Sequence, residues 1–251
     1  MRVVLALLLL TVGFSAAAQT GAKRLGCVTP QAMMELGADL PQVRRTIDRG
    51  DPLTLVAIGS SSTAGAGASA EDRTYPARLE THLRVLYPDL AVRVVNKGVN
   101  GEEAPQMIAR FQRDVAAESP VLVVWQVGAN AVLQSDRIER YRAIIREGVR
   151  RLRDWGHDVV LMDPQYAPKI VEVPDHLDML KIIADVARSE RVGRLRRFDI
   201  MRHWQEVAGM GRARMLSEDG LHMTDASYDC LARALAKSIA LAVRETHPIV
   251  R

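Results

Sequence analysis

Short apolar runs alternate with longer amphipathic stretches from residue 53 onward. The runs 53–58 (LTLVAI) and 121–127 (VLVVWQV) are apolar at nearly every position, which is typical of parallel strands covered by helices on both faces. Residues 138–155 instead repeat apolar side chains at steps of three and four, with arginines and glutamates between them, and predict a helix with one buried face. The alternation predicts an α/β fold, a three-layer α/β/α sandwich of about five parallel strands.

The individual elements follow from the same periodicities. The predicted strands are 53–58, 92–95, 121–127, 159–162 and a weak one at 195–200. The predicted helices are 75–87, 102–117, 138–155, 175–191 and a last one from Ala226, with one helix-like piece at 31–47. Ligands of such sheets bind beyond the carboxyl ends of the strands, so the residues that follow each strand are the ones to examine for chemistry.

The first eighteen residues have the pattern of a secretory signal peptide. Arg2 precedes an apolar run at 3–10, and the small residues 16–18 precede Gln19. The apolar run is too short to span a bilayer, so we expect cleavage after about Ala18 and no stable membrane insertion. The expected location is secreted or periplasmic. Residues 19–50 are expected to form an N-terminal extension, and residues 51–251 a single domain.

The two cysteines are also relevant to export. An exported protein meets an oxidising compartment, where Cys27 and Cys230 can form a disulfide that ties the two ends together. The alternative is a free Cys27 and a Cys230 buried as a small core residue, and the sequence leaves both open.

Composition narrows the choice of partner. The chain of 251 residues is 48% hydrophobic and 25% charged, as in ordinary globular proteins. Its 34 Lys and Arg against 30 Asp and Glu give a net charge of +4, too mild an excess to indicate a nucleic-acid partner. The histidines are scattered without metal-ligand spacing, and no dinucleotide or P-loop motif stands at a strand end, so neither a metal nor an organic cofactor is expected.

Four segments near the predicted strand ends form a chemical set. They are 59–65 (GSSSTAG), 96–101 (NKGVNG), 128–130 (GAN) and 219–222 (DGLH). A serine hydroxyl becomes a good nucleophile when an imidazole takes its proton and a carboxylate holds the other imidazole nitrogen. Asp219 and His222 are close enough in sequence to bond across a turn, while a glycine N–H and an asparagine amide suit a developing oxyanion.

In this order the segments resemble the SGNH or GDSL-type hydrolases, over about residues 53–244. The first segment matches the family pattern G-D-S-x-T-x-G, the third matches G-x-N and the last matches D-x-x-H. The resemblance implies that Ser61 is the nucleophile, His222 the general base and Asp219 its orienting carboxylate. It also implies an oxyanion hole made by the N–H groups of Ser61 and Gly98 and by the Asn130 amide.

Two positions depart from the family pattern. Ser60 stands where the family usually has an aspartate that braces the loop, which puts the rigidity of the loop in doubt. Ala131 replaces an aspartate that often follows the asparagine. The run of three serines also allows a slip of one residue, to Ser60 or Ser62.

The sequence therefore predicts an exported serine esterase that hydrolyses carboxylic esters through an acyl-enzyme, on small acyl esters or acylated carbohydrates. Alternatives within the family are a lysophospholipase or thioesterase, or an acyltransferase that passes the acyl group to a glycan hydroxyl. The alternative of another class is a module that binds acylated glycans without turnover. The expected partner is a small-molecule, glycan or lipid ester; substrate-binding residues and oligomeric state are left open.

Overall fold

A computed structural model describes residues 27–134 and 137–244. The predicted signal peptide at 1–18 lies outside the described residues. Within these two ranges, no helix is both long and apolar enough to cross a membrane.

Five parallel strands form one sheet in the order β2-β1-β3-β4-β5. Their bounds are β1 Leu53–Gly59, β2 Val92–Gly98, β3 Leu122–Gln126, β4 Asp158–Met162 and β5 Gly193–Leu195. Strand β3 is buried at every position, as expected for a strand covered on both faces. Helices flank the sheet, so the predicted three-layer α/β/α sandwich is confirmed.

Thirteen α-helices occur within the described ranges. They are α1 Gln31–Met34, α2 Pro41–Arg49, α3 Ser61–Ala64, α4 Tyr75–Leu86, α5 Ala104–Ala109, α6 Phe111–Asp114, α7 Ala129–Leu133, α8 Tyr141–Asp154, α9 Pro168–Val171, α10 His176–Glu190, α11 Arg197–Glu206, α12 Arg212–Met215 and α13 Asp225–Arg244. Helix α8 buries Tyr141, Ile145, Val149 and Leu152, the face that its periodicity predicts. Helix α4 packs against α13, and α8 packs against α10.

Three predicted elements were wrong in detail. The weak strand at 195–200 is wrong because β5 ends at Leu195 and helix α11 begins at Arg197. The buried residues of α11 recur at steps of three and four, a helical period that so short a window hides. The helix predicted at 102–117 is divided at Arg110, and the piece at 31–47 is two helices, the second with Pro41 in its first turn.

The N-terminal segment is fastened to the rest of the chain by covalent and polar bonds. Cys27 and Cys230 form a disulfide, with their Cα atoms 5.5 Å apart, so the first of the two alternatives for the cysteines is the one observed. The Asp158 carboxylate accepts hydrogen bonds from the N–H groups of Gln42 and Val43, at 2.8 and 3.0 Å. Residues of the 27–50 segment and of helix α13 therefore contribute to one hydrophobic core.

Candidate active site

The residues singled out by the sequence lie around the carboxyl ends of the first three strands. Strand β1 ends at Gly59, and its chain passes through Ser60 into α3, whose first residue is Ser61. Strand β2 ends at Gly98, and Asn130 lies in the first turn of α7, just after β3. Parallel strands bring these ends to one edge of the sheet, which is where α/β folds place their ligand sites.

Ser61, His222 and Asp219 form a continuous chain of hydrogen bonds. The Nε2 atom of His222 lies 2.8 Å from the Ser61 Oγ, and its Nδ1 atom lies 2.5 Å from Oδ2 of Asp219. A carboxylate only accepts hydrogen bonds, so Nδ1 carries the proton in this pair and Nε2 is left to accept the serine proton. This is the geometry that the predicted nucleophile, base and orienting carboxylate require.

The Asp219 carboxylate is held by several donors besides the imidazole. Its Oδ1 accepts the backbone N–H groups of Leu221 and His222, both at 2.9 Å, and the Ser217 hydroxyl at 2.7 Å. Partial burial acts to raise the pKa of Asp219, but these hydrogen bonds and the one from the His222 ring together hold that pKa well below its usual value. The group therefore stays ionised near neutral pH and fixes the imidazole.

Two of the predicted oxyanion donors remain available. The Ser61 N–H opens helix α3 and has no acceptor within the described part of the chain. The Asn130 Nδ2 atom donates one hydrogen to the Glu102 carbonyl at 2.8 Å, which leaves its second N–H uncommitted. That bond also fastens the segment after β2 to the start of α7.

The third predicted donor, Gly98, has its N–H engaged. It donates to the Asn96 Oδ1 at 2.9 Å, in a local turn of the Asx type. A Cβ atom at Gly98 would lie 2.0 Å from the Ala64 backbone nitrogen, so close packing against α3 accounts for the glycine. Three residues on, the N–H of Gly101 finds no acceptor among the residues described, and Gly101 adjoins the Glu102 carbonyl that Asn130 holds.

Two residues of the site were missed from the sequence. Gln126, the last residue of β3, accepts hydrogen bonds from the Ser60 N–H and hydroxyl. Arg110 is 7% exposed and bonds the Glu102 carboxylate at 2.7 Å and the Lys97 carbonyl at 2.9 Å, so it holds the segment after β2. The available signals were a lone glutamine at the end of an apolar strand and an arginine between two apolar helical turns.

Comparison with known proteins gives a family and several relatives. The sequence model of the Non-GDSL lipase-like family matches residues 26–245. An acetylxylan esterase of Geobacillus stearothermophilus is 28% identical over 197 residues, which are 72% of this chain and 84% of the relative. Esterase TesA of Pseudomonas aeruginosa is 25% identical over 174 residues, 67% of this chain and 79% of that protein.

Solved structures share the fold. A variant of the acetyl xylan esterase Axe2 of Geobacillus stearothermophilus has a TM-score of 0.63 at 22% identity, over 74% of this chain and 94% of its own. A two-domain esterase active on acetylated mannans, co-crystallised with mannopentaose, has a TM-score of 0.68 at 18% identity, over 84% of this chain and 56% of its own.

Proposed function

The chain belongs to the Non-GDSL lipase-like family, and from that premise we propose that it is an exported serine esterase that removes acetyl groups from carbohydrates. The family and its esterase relatives confirm the predicted class of enzyme, a carboxylic ester hydrolase, and the resemblance to SGNH-type esterases. The observation that carries the proposal is the hydrogen-bonded chain from Ser61 through His222 to Asp219.

The proposed mechanism uses all three of these groups. The Ser61 Oγ attacks the ester carbonyl while His222 Nε2 takes its proton, and Asp219 stabilises the imidazolium. The tetrahedral intermediate collapses, His222 returns the proton to the leaving alcohol, and an acyl-enzyme remains on Ser61. Water activated by His222 then attacks the acyl carbonyl, which releases the carboxylic acid and restores the serine.

The oxyanion is stabilised by the Ser61 N–H, the free N–H of Asn130 and a backbone N–H of the segment after β2. Gly98 was the residue predicted there, but its N–H is bonded to Asn96. The uncommitted N–H of Gly101, beside the carbonyl that Asn130 holds, is better suited to this role.

Acetylated carbohydrate is the proposed substrate because two of the proteins named above act on it. One is an acetylxylan esterase, and the structure with the higher TM-score is an esterase active on acetylated mannans. Esterase TesA has no carbohydrate in its name, so the second candidate is the alternative that the family resemblance implies, a thioesterase or lysophospholipase. An acyltransferase differs from both in passing the acyl group to a glycan hydroxyl instead of water.

Hydrolysis rates on p-nitrophenyl esters from acetate to palmitate test the proposal. We expect a maximum at acetate, release of acetate from acetylated xylo-oligosaccharides, and loss of both activities in Ser61→Ala. Ser62→Ala is the matched control for the serine run and should stay active. A maximum at palmitate would favour the thioesterase or lysophospholipase, and an active Ser61→Ala would contradict the proposed nucleophile.

Export is proposed on two observations. The N-terminal sequence has the signal-peptide pattern, and the Cys27–Cys230 disulfide is a bond that forms in oxidising compartments. The mass of the protein recovered from a bacterial periplasm should correspond to a chain that begins at Gln19. A mass that retains residues 1–18 would contradict cleavage.

A further inference from the structure

A fully buried glutamine, Gln126, lies under residues 59–65, here called the serine loop, and is not part of the proposed mechanism. The amide oxygen of Gln126 accepts three hydrogen bonds: from the Ser60 N–H at 2.9 Å, the Ser60 hydroxyl at 3.0 Å and the Thr63 hydroxyl at 3.2 Å. Ser60 and Thr63 lie on either side of Ser61 in the sequence. One oxygen atom, carried by the neighbouring strand β3, therefore holds both flanks of the nucleophile.

The orientation of this amide is determined by its partners. The Ser60 N–H can only donate, so the group that faces it must be the amide oxygen and not the nitrogen. The Nε2 atom of Gln126 then points away from the loop and has no partner within the described residues. All of the hydrogen bonds of the side chain are thus made to the serine loop.

Folding alone does not explain a glutamine at this position. Residues 122–125 of the same strand are apolar and fully buried. A buried amide nitrogen without a partner destabilises the folded state, and an apolar side chain would fill the end of the strand without that cost. The position therefore carries an acceptor because the loop requires one.

Close approach of the loop to the strand depends on Gly59. A Cβ atom at this residue would lie 2.3 Å from the Thr63 Oγ1 and 2.7 Å from the Gln126 Oε1. Both distances are below 3.0 Å, which real Cβ atoms essentially never show. Only glycine at position 59 leaves room for the oxygen and the two hydroxyls to meet.

We propose that Gln126 is a positioning residue for the reaction, whose amide oxygen fixes the serine loop so that the Ser61 Oγ meets His222 Nε2. The inference rests on Ser61 being the nucleophile. It explains how the loop is supported although Ser60 replaces the aspartate expected there, since Ser60 donates to Gln126 through both its N–H and its hydroxyl. Because an amide does not titrate, this support is independent of pH.

Steady-state kinetics of Gln126→Met on p-nitrophenyl acetate test the role, at a temperature well below the Tm of every variant. Methionine fills a similar volume without the acceptor, and we expect kcat to fall about 10- to 100-fold with little change in KM. Val124→Ala is the control. It removes core packing on the same face of β3, so it should lower the Tm but leave kcat within about twofold of wild type. Gln126→Glu keeps an acceptor oxygen in place. Its kcat should therefore recover most of the activity that Gln126→Met loses.

Three results would overturn the proposal: a wild-type kcat in Gln126→Met, a loss no larger than that of Val124→Ala, or no recovery in Gln126→Glu. If Gln126→Met yields no folded protein, Ser60→Ala replaces it. That variant removes one donor and should lower kcat several-fold, so a wild-type kcat would equally refute the role. Activity in Ser61→Ala would instead refute the proposed function, so the two failures are distinguishable.

Discussion

Removal of the Cys27–Cys230 disulfide should lower the free energy of unfolding by an amount that follows from its position. The bond closes a loop across a sequence separation of 203. In the chain-entropy treatment, opening a loop of this length adds conformational freedom to the unfolded chain worth about 5 kcal/mol at 25 °C. With a urea m-value of about 3 kcal/mol/M, the midpoint of unfolding should fall by roughly 1.5–2 M.

Urea denaturation of Cys27→Ser measures this change. Cys27 is only partly buried, whereas Cys230 is 3% exposed, so replacing Cys27 removes the bond with little loss of core packing. Wild-type protein treated with a thiol reductant should shift by a similar amount, and Cys27→Ser should not respond to the reductant. An unchanged midpoint in both would refute the reasoning, because the unfolded chain would then gain no freedom from the loss of the bond.

Three further predictions concern the site and its support. With p-nitrophenyl acetate as substrate, Asp219→Asn should lower kcat about 10³- to 10⁴-fold with little effect on KM, because the imidazole loses the carboxylate that selects its tautomer. An unchanged kcat would contradict this. Asn130→Ala should lower kcat about 10²- to 10³-fold in the same assay, through loss of one oxyanion donor, and an effect on KM alone would argue against that role. Bonds from Arg113 and Arg110 hold the pKa of Asp114 below its usual value, so its contribution to stability is present above about pH 4 and is lost as the pH falls. The Tm of Asp114→Asn should therefore lie below that of wild type at pH 7 and approach it near pH 2.5, and a constant difference would contradict the assignment.

The sheet could be predicted from the sequence because its strands are buried on both faces. Apolar runs such as residues 121–127 have few alternatives when amphipathic stretches lie on either side. The start of α11 could not be predicted in the same way, because the apolar residues after β5 occur before a helical period can be recognised. Short helices such as α9 and α12 are a single turn long and leave no periodic signal.

The roles of the predicted site residues came from the resemblance to a family, and spacing supports that resemblance only where two groups bond along the chain. Asp219 and His222 are three residues apart, and the carboxylate does bond the ring. The environment of Gly98 depends on the direction of the Asn96 side chain, which spacing does not determine. The bonds from Ser60 to Gln126 join residues 66 positions apart, so they appear only when β1 and β3 lie side by side.

The turn at Gly156 divides the chain into two halves with different chemical contents. Gly156 is exposed and precedes β4. It therefore lies at the amino ends of the strands, and the candidate active site lies at their carboxyl ends. Ser61 and Asn130 lie before this turn, while Asp219 and His222 lie after it, and each half carries one cysteine of the disulfide. In the proposed mechanism, neither of two fragments separated here would be active alone, and hydrolysis would report their reassembly through pairing of β3 with β4. The chain therefore suits a split-enzyme design in which oxidation forms the Cys27–Cys230 disulfide and links the two fragments covalently.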